Sequence, residues 1–188
     1  MVKQIDDFKE KFDFLFRPLI VILKKLKIKP PYISVISFIF GITSVFFLYS
    51  NHILFLVFAL MHLFLDKLDG ALARYTQNVT ESGRWFDYIL DSLVLFFLLV
   101  RSYMFFPSTG VNILFTGKFV LITLISYLLF NFIQIFIRKK NTFGSHLIAI
   151  ILFIFKKYYL AILMTFLISI FGIIFHLIKW KDLHTQNE

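Results

Sequence analysis

Cysteine is absent from the chain, so disulfides and thiolate-ligated metals are excluded, while the compartment stays open. Charge is scarce as well. Only 16% of residues are charged, and 11 acidic residues stand against 20 lysines and arginines, for a formal net charge of +9. No basic-aromatic motif suited to nucleic acid is present, so the basic excess reads as positive-inside loops of a membrane protein. Val2 to Lys11 mixes acids, lysines and aromatics, without the short apolar core and small-residue cleavage site of a secretory leader. No internal repeat, linker or second domain is visible. His52, His62, His146, His176 and His184 are scattered without an i,i+4 pair that would suggest a metal site, and no strong small-residue stripe marks a dimer seam.

The remainder is lipid-like. The chain is 59% hydrophobic, contains 27 phenylalanines and has a mean hydropathy of +0.82. A soluble domain of 188 residues has no means of hiding that much apolar surface. The expected class is an all-α integral membrane protein with six transmembrane helices, preceded by an interfacial amphipathic helix. From Lys3 to Leu26, Ile5, Phe8, Phe12, Leu15, Phe16, Leu19, Ile20 and Leu23 recur at helical spacing opposite a charged face. The basic cluster Lys24–Lys29 follows and favours anionic headgroups. Pro30-Pro31 separates it from the first span.

The spans are expected at about 32–49, 53–74, 83–106, 111–138, 143–155 and 159–179, with apolar runs of roughly 20 residues as the guide. The fifth is short and is interrupted by Lys156-Lys157; a five-span reading, partly re-entrant after Asn141, is the alternative. Domain limits follow as 1–29 for the juxtamembrane segment, 30–181 for the membrane domain and 182–188 for a tail. With six spans, the clusters Lys24–Lys29, Arg138-Lys139-Lys140 and Lys179–Lys181 share one side with the Arg74–Arg84 connection. That side, with both termini, is expected to be cytoplasmic.

One stretch departs from this lipid-like character. Asp66-Lys67-Leu68-Asp69-Gly70-Ala71-Leu72-Ala73-Arg74 is followed by Gly83-Arg84-Trp85-Phe86-Asp87-Tyr88-Ile89-Leu90-Asp91. A charge at the bilayer centre costs roughly 2.5–3.5 kcal/mol on insertion scales, so four carboxylates imply compensation. At about 100° per residue, Asp66, Gly70 and Ala73 share a narrow arc, while Gly83, Asp87 and Asp91 stack on the next helix. Two facing helices would offer two carboxylates each to one cleft. Oxygen-only ligation suits Mg²⁺ or Mn²⁺, and two such ions can clamp a phosphoryl group. Gly70 permits close approach, Ala73 keeps the face low, and Arg74 can fork onto phosphate oxygens. A proton or cation pathway uses isolated acids of this kind too, and a small cation transporter is the alternative from another class.

Asp66-x2-Asp69-Gly70-x2-Ala73-Arg74-x8-Gly83-x3-Asp87-x3-Asp91 resembles the signature of the CDP-alcohol phosphatidyltransferases at every defining position. Pro30-Pro31-Tyr32-Ile33-Ser34 is similar to that family's Pro-Asn-x-x-Thr opening of the first span, with Pro31 in place of Asn and Ser34 in place of Thr. The resemblance implies a phospholipid-synthesis transferase that moves a substituted phosphate from a CDP-linked donor to an alcohol and releases CMP. It implies that Asp66, Asp69, Asp87 and Asp91 bind two divalent ions and that Asp91 is also the general base. Gly70, Ala73, Arg74, Thr80, Gly83 and Ser34 would line the donor site. A homodimer and a cytoplasmic active site are implied too.

The substrate pair is less constrained. The preferred expectation is a CDP-linked lipid donor and a polar alcohol acceptor such as inositol phosphate or glycerol phosphate, as in the prokaryotic phosphatidylinositol-phosphate-synthase-like subgroup. Arg138, Lys139 and Lys140 are the candidate acceptor contacts. Against the glycerol-phosphate version, Gly83–Ser92 lacks an Asp-Pro-x-x-Asp-Lys form. Phe86-Asp87-x3-Asp91-Ser92 instead resembles the choline and ethanolamine phosphotransferases, which use a CDP-linked headgroup and a diacylglycerol acceptor. A non-catalytic lipid-binding scaffold is a third reading, which the complete motif opposes.

Overall fold

The computed structural model describes residues 16–106, 117–137 and 145–185. Within them the regular structure is entirely helical. A helical segment at residues 16–25 precedes α1 (Pro30–Phe47), α2 (His52–Tyr75), α3 (Glu81–Phe105), α4 (Gly117–Ile137), α5 (Ser145–Ile154) and α6 (Tyr158–Thr185). The six labelled helices fall in the regions of the six expected spans: α1, α2, α3 and α5 start and end within two residues of the expected limits, α4 is described only from Gly117, and α6 runs past its expected end to Thr185.

Four of them are long and apolar enough to cross a membrane: Pro30–Phe47, Glu81–Phe105, Gly117–Ile135 within α4, and Tyr158–Ile178 within α6. Their outward faces are apolar, with Phe132, Phe171 and Ile178 all more than half exposed. α2 has the length, at 24 residues, but its last turns carry Asp66, Lys67, Asp69 and Arg74. α5 has only 10 residues, about 15 Å of helix against a hydrocarbon core of about 30 Å. α6 continues as helix through residues expected to form the tail. Residues 1–15 of the expected amphipathic helix lie outside the described residues. In the described part, Ile20 is buried against Ile33, Leu68, Ala71 and Leu72, with Phe16 and Leu23 beside it, while Leu19 and Ile22 face outward.

The helix ends follow local chemistry. Pro30 and Pro31 occupy the first two positions of α1, where a missing N–H costs no internal bond. Asn51 caps α2 by accepting from the N–H groups of Ile53 and Leu54 at 3.1 and 3.2 Å. Three helices end in a left-handed residue that is not glycine: Lys27, Gln77 and Lys156, with φ of 56°, 53° and 57°. At each, the next N–H returns to a carbonyl five residues back, as Asn78 N does to Ala73 O at 2.9 Å. This paired closure satisfies orphan carbonyls at the helix end.

α1 is the central packing element. It lies against both α2 and α3, which make little direct backbone contact with each other. Gly41 allows this approach: a Cβ there would stand 2.6 Å from Val94 Cγ2 on α3 and 3.2 Å from His62 Nδ1 on α2. Ser37, buried in the same seam, bonds His62 Nδ1 at 2.9 Å and donates to the His62 carbonyl at 2.8 Å. The result is a cleft between α2 and α3 with α1 as its floor. At the opposite end of α3, Tyr49 stacks on Phe105 with centroids 3.9 Å apart and donates to Ser102 Oγ at 2.8 Å. α4 packs against α3 and α6, and α5 against α6.

Candidate active site

The acidic motif occupies the end of the cleft nearest the α2–α3 connection. α2 supplies Asp66, Asp69, Gly70, Ala73 and Arg74; α3 supplies Gly83, Asp87 and Asp91. Thr80, the residue before α3, caps it: its Oγ1 accepts from Gly83 N at 3.1 Å. A Cβ on Gly83 would lie 3.0 Å from that same oxygen. These two candidate donor-site residues therefore have a local role in starting α3, one that the motif spacing did not reveal.

The four carboxylates form one electrostatic group. Asp91 feels the charges of Asp66, Lys67, Asp69 and Asp87. Asp69 is 4% exposed and has the buried Ser34 side chain near it, which joins the start of α1 to the motif. The Ser34 hydroxyl donates to Pro30 O at 3.3 Å. Lys67 Nζ contacts Asp66 Oδ2 at 2.6 Å. A lysine within the motif thus supplies part of the compensation that the carboxylates require.

The donor set is chemically right for a hard divalent cation, having carboxylate oxygens and no sulfur. Among the described residues, no three acidic or histidine side chains converge to cage an ion. Magnesium ordinarily takes one or two carboxylates and completes its shell with water and substrate phosphate. The residues fit an ion held jointly with a phosphate-bearing ligand. Gly70 fits the same picture: a Cβ there would meet Arg74 Nη1 at 3.3 Å, so the guanidinium lies over the bare backbone. Arg138, Lys139 and Lys140 lie outside the described residues.

A second set of polar residues was not singled out from the sequence. Asn131 on α4 accepts from Tyr88 Oη at 2.7 Å and Ser92 Oγ at 3.0 Å, one residue beyond Asp87 and Asp91 respectively. Tyr127 Oη donates to the Ser92 carbonyl at 3.0 Å. The available signal was an asparagine and a glutamine, Asn131 and Gln134, in the apolar second half of a membrane-length helix. An apolar groove of about 230 Å³ lies over this network, walled by Ile89, Leu93, Phe96 and Leu128.

A family model described as CDP-alcohol phosphatidyltransferase matches residues 27–179. The chain is also similar to "Ethanolaminephosphotransferase 1" of Homo sapiens, at 40% identity over 80 residues, covering 42% of this chain and 19% of that protein. The protein of the same name from Pongo abelii is 39% identical over 80 residues, with the same coverage. The chain spans about a fifth of the length of the curated relatives it matches.

Proposed function

The chain belongs to the CDP-alcohol phosphatidyltransferase family, and from that membership we propose that it transfers a substituted phosphate from a CDP-linked donor to an alcohol, releasing CMP. The observation carrying the proposal is the complete acidic motif, carried on the last turns of α2 and the first turns of α3 within the residues that the family model matches.

Asp66, Asp69, Asp87 and Asp91 are assigned to two divalent ions, Mg²⁺ or Mn²⁺. Bound there, such ions neutralise pyrophosphate oxygens and make the phosphorus electrophilic. Arg74, lying over Gly70, binds donor phosphate, while Ala73 leaves that face low. Thr80 and Gly83 shape the donor site through the start of α3, and Ser34 orients Asp69. Asp91 accepts the acceptor's hydroxyl proton as the oxygen–phosphorus bond forms and the bond to CMP breaks, with the electron pair leaving on CMP.

For the substrate pair we put a CDP-linked headgroup of the ethanolamine type and a diacylglycerol acceptor first. The relatives named for ethanolamine phosphotransfer support it, as does Phe86-Asp87-x3-Asp91-Ser92. A CDP-linked lipid with a polar acceptor such as inositol phosphate or glycerol phosphate is the second reading, supported by Arg138-Lys139-Lys140 as contacts for an acceptor phosphate. The six-span topology, with residues 30–181 as the catalytic unit, 1–29 lying on the membrane and 182–188 beyond it, belongs to the same proposal. So do the homodimer and the cytoplasmic placement of site and termini.

The test is CMP release by purified protein with Mg²⁺ or Mn²⁺. One arm offers CDP-ethanolamine and diacylglycerol; the other offers CDP-diacylglycerol with a panel of polar alcohols. Product mass identifies the pair. No CMP from either arm would overturn the enzymatic reading.

A further inference from the structure

Asn131 is 8% exposed, and both the oxygen and the nitrogen of its amide are hydrogen-bonded. Its Nδ2 donates to the Tyr127 carbonyl at 2.8 Å. A carbonyl only accepts, so the amide oxygen is the atom that faces the two hydroxyls of α3. Tyr88 and Ser92 are four residues apart and therefore share a face of α3. Asp87 and Asp91 each precede one of them by a single residue, about 100° around the helix. Holding Tyr88 and Ser92 on α4 therefore fixes how far α3 is rotated and turns both carboxylates off the α4 face. The Tyr127 hydroxyl bond to the Ser92 carbonyl adds a restraint at the same level. α2 makes little direct contact with α3, and α1 meets α3 at Val94 near its middle, so α4 adds a restraint at the level of Asp87 and Asp91.

We propose that Asn131 is a positioning residue that sets the rotation of α3 and so aims Asp87 and Asp91 into the cleft. It touches neither ion nor substrate and acts through Tyr88 and Ser92. The proposal rests on the carboxylates being the ion site assigned above.

The test is equilibrium binding of Mn²⁺ to the full chain in detergent with CMP present, read from the electron paramagnetic resonance signal of free Mn²⁺, beside thermal unfolding measured without metal. Asn131→Leu is expected to weaken Mn²⁺ binding about tenfold, the low end of the roughly 10–100-fold typical when a ligand loses its supporting partner. Tyr88→Phe, which removes one of the two hydroxyls with little change in shape, should weaken it severalfold. Tyr49→Phe removes a comparable bond, from the α1–α2 connection to the far end of α3, and should lower stability without moving Mn²⁺ affinity. Loss of Mn²⁺ affinity confined to Asn131→Leu and Tyr88→Phe supports the proposal. Normal Mn²⁺ affinity in a destabilised Asn131→Leu, or in Tyr88→Phe should Asn131→Leu fail to fold, overturns it and leaves the ion site standing. If the unaltered protein binds no Mn²⁺, both this proposal and the ion site fall.

Discussion

Replacing Gly41 with alanine should force the cleft floor away from its walls. The added Cβ would stand 2.6 Å from Val94 Cγ2 and 3.2 Å from Val94 Cγ1 and His62 Nδ1. Carbon atoms pack best at about 3.5–4.0 Å, so roughly 1 Å must be recovered. Val94 offers little of it: it is 1% exposed, and a helical valine occupies one rotamer about 90% of the time. His62 is tied to Ser37 by the bonds that join α1 to α2. Separation of α1 from α3 is the remaining adjustment, and overpacking of this kind costs about 1–3 kcal/mol. Unfolding in detergent micelles by increasing SDS fraction should report that loss. Val94→Ala alone should also destabilise, by roughly 1–2 kcal/mol at about 0.8 kcal/mol per lost methyl group. Combined with Gly41→Ala it should make room for the new methyl. The double variant should then be more stable than the sum of the two losses by at least about 1 kcal/mol, a coupling expected of atoms in direct contact. Strict additivity, or a Gly41→Ala protein as stable as its parent, would refute the reasoning.

Gly70→Ala should displace only the flexible Arg74 guanidinium, raising KM for the CDP-linked donor with unfolding unchanged; steady-state kinetics and an unfolding curve separate the two. Thr80→Ala removes the cap of α3 and should cost about 1 kcal/mol, while Thr80→Ser keeps the oxygen and most of that stability. Asp91→Asn should abolish turnover while keeping much of the CMP affinity, measured by calorimetry with Mg²⁺. Strong CMP release by that variant would remove Asp91 as the base.

Much of the fold was legible because bilayer-length apolar runs leave little choice of structure, and the internal ends of α2 and α3 fall near their expected positions. The ends of the segment before α1, of α2 and of α5 were also placed to within a residue, but how they close was not legible. Lys27, Gln77 and Lys156 take a conformation usually signalled by glycine, so no residue type announced that geometry. The acidic residues of the site were legible because charge is conspicuous in an apolar chain and helical spacing groups it. Their support was not. Ser34, Ser37, His62 and Asn131 act on partners 25 or more residues away, and no periodicity within one helix reports such pairings. Thr80 was read through a ligand role, whereas its nearest partner is the backbone of Gly83.

The placement of Ser34, both carboxylate pairs and the Gln77 turn within α1 to α3 has a consequence for the order in which the chain becomes competent. Contacts between elements close in sequence need little loop closure and are favoured early, and chains form their N-terminal parts first during synthesis. The acidic cluster can therefore gather while the last three helices are still being made. Until Asn131 emerges from the ribosome, α3 lacks the amide that restrains its rotation, so the arrival of α4 converts a gathered set of carboxylates into an aligned one.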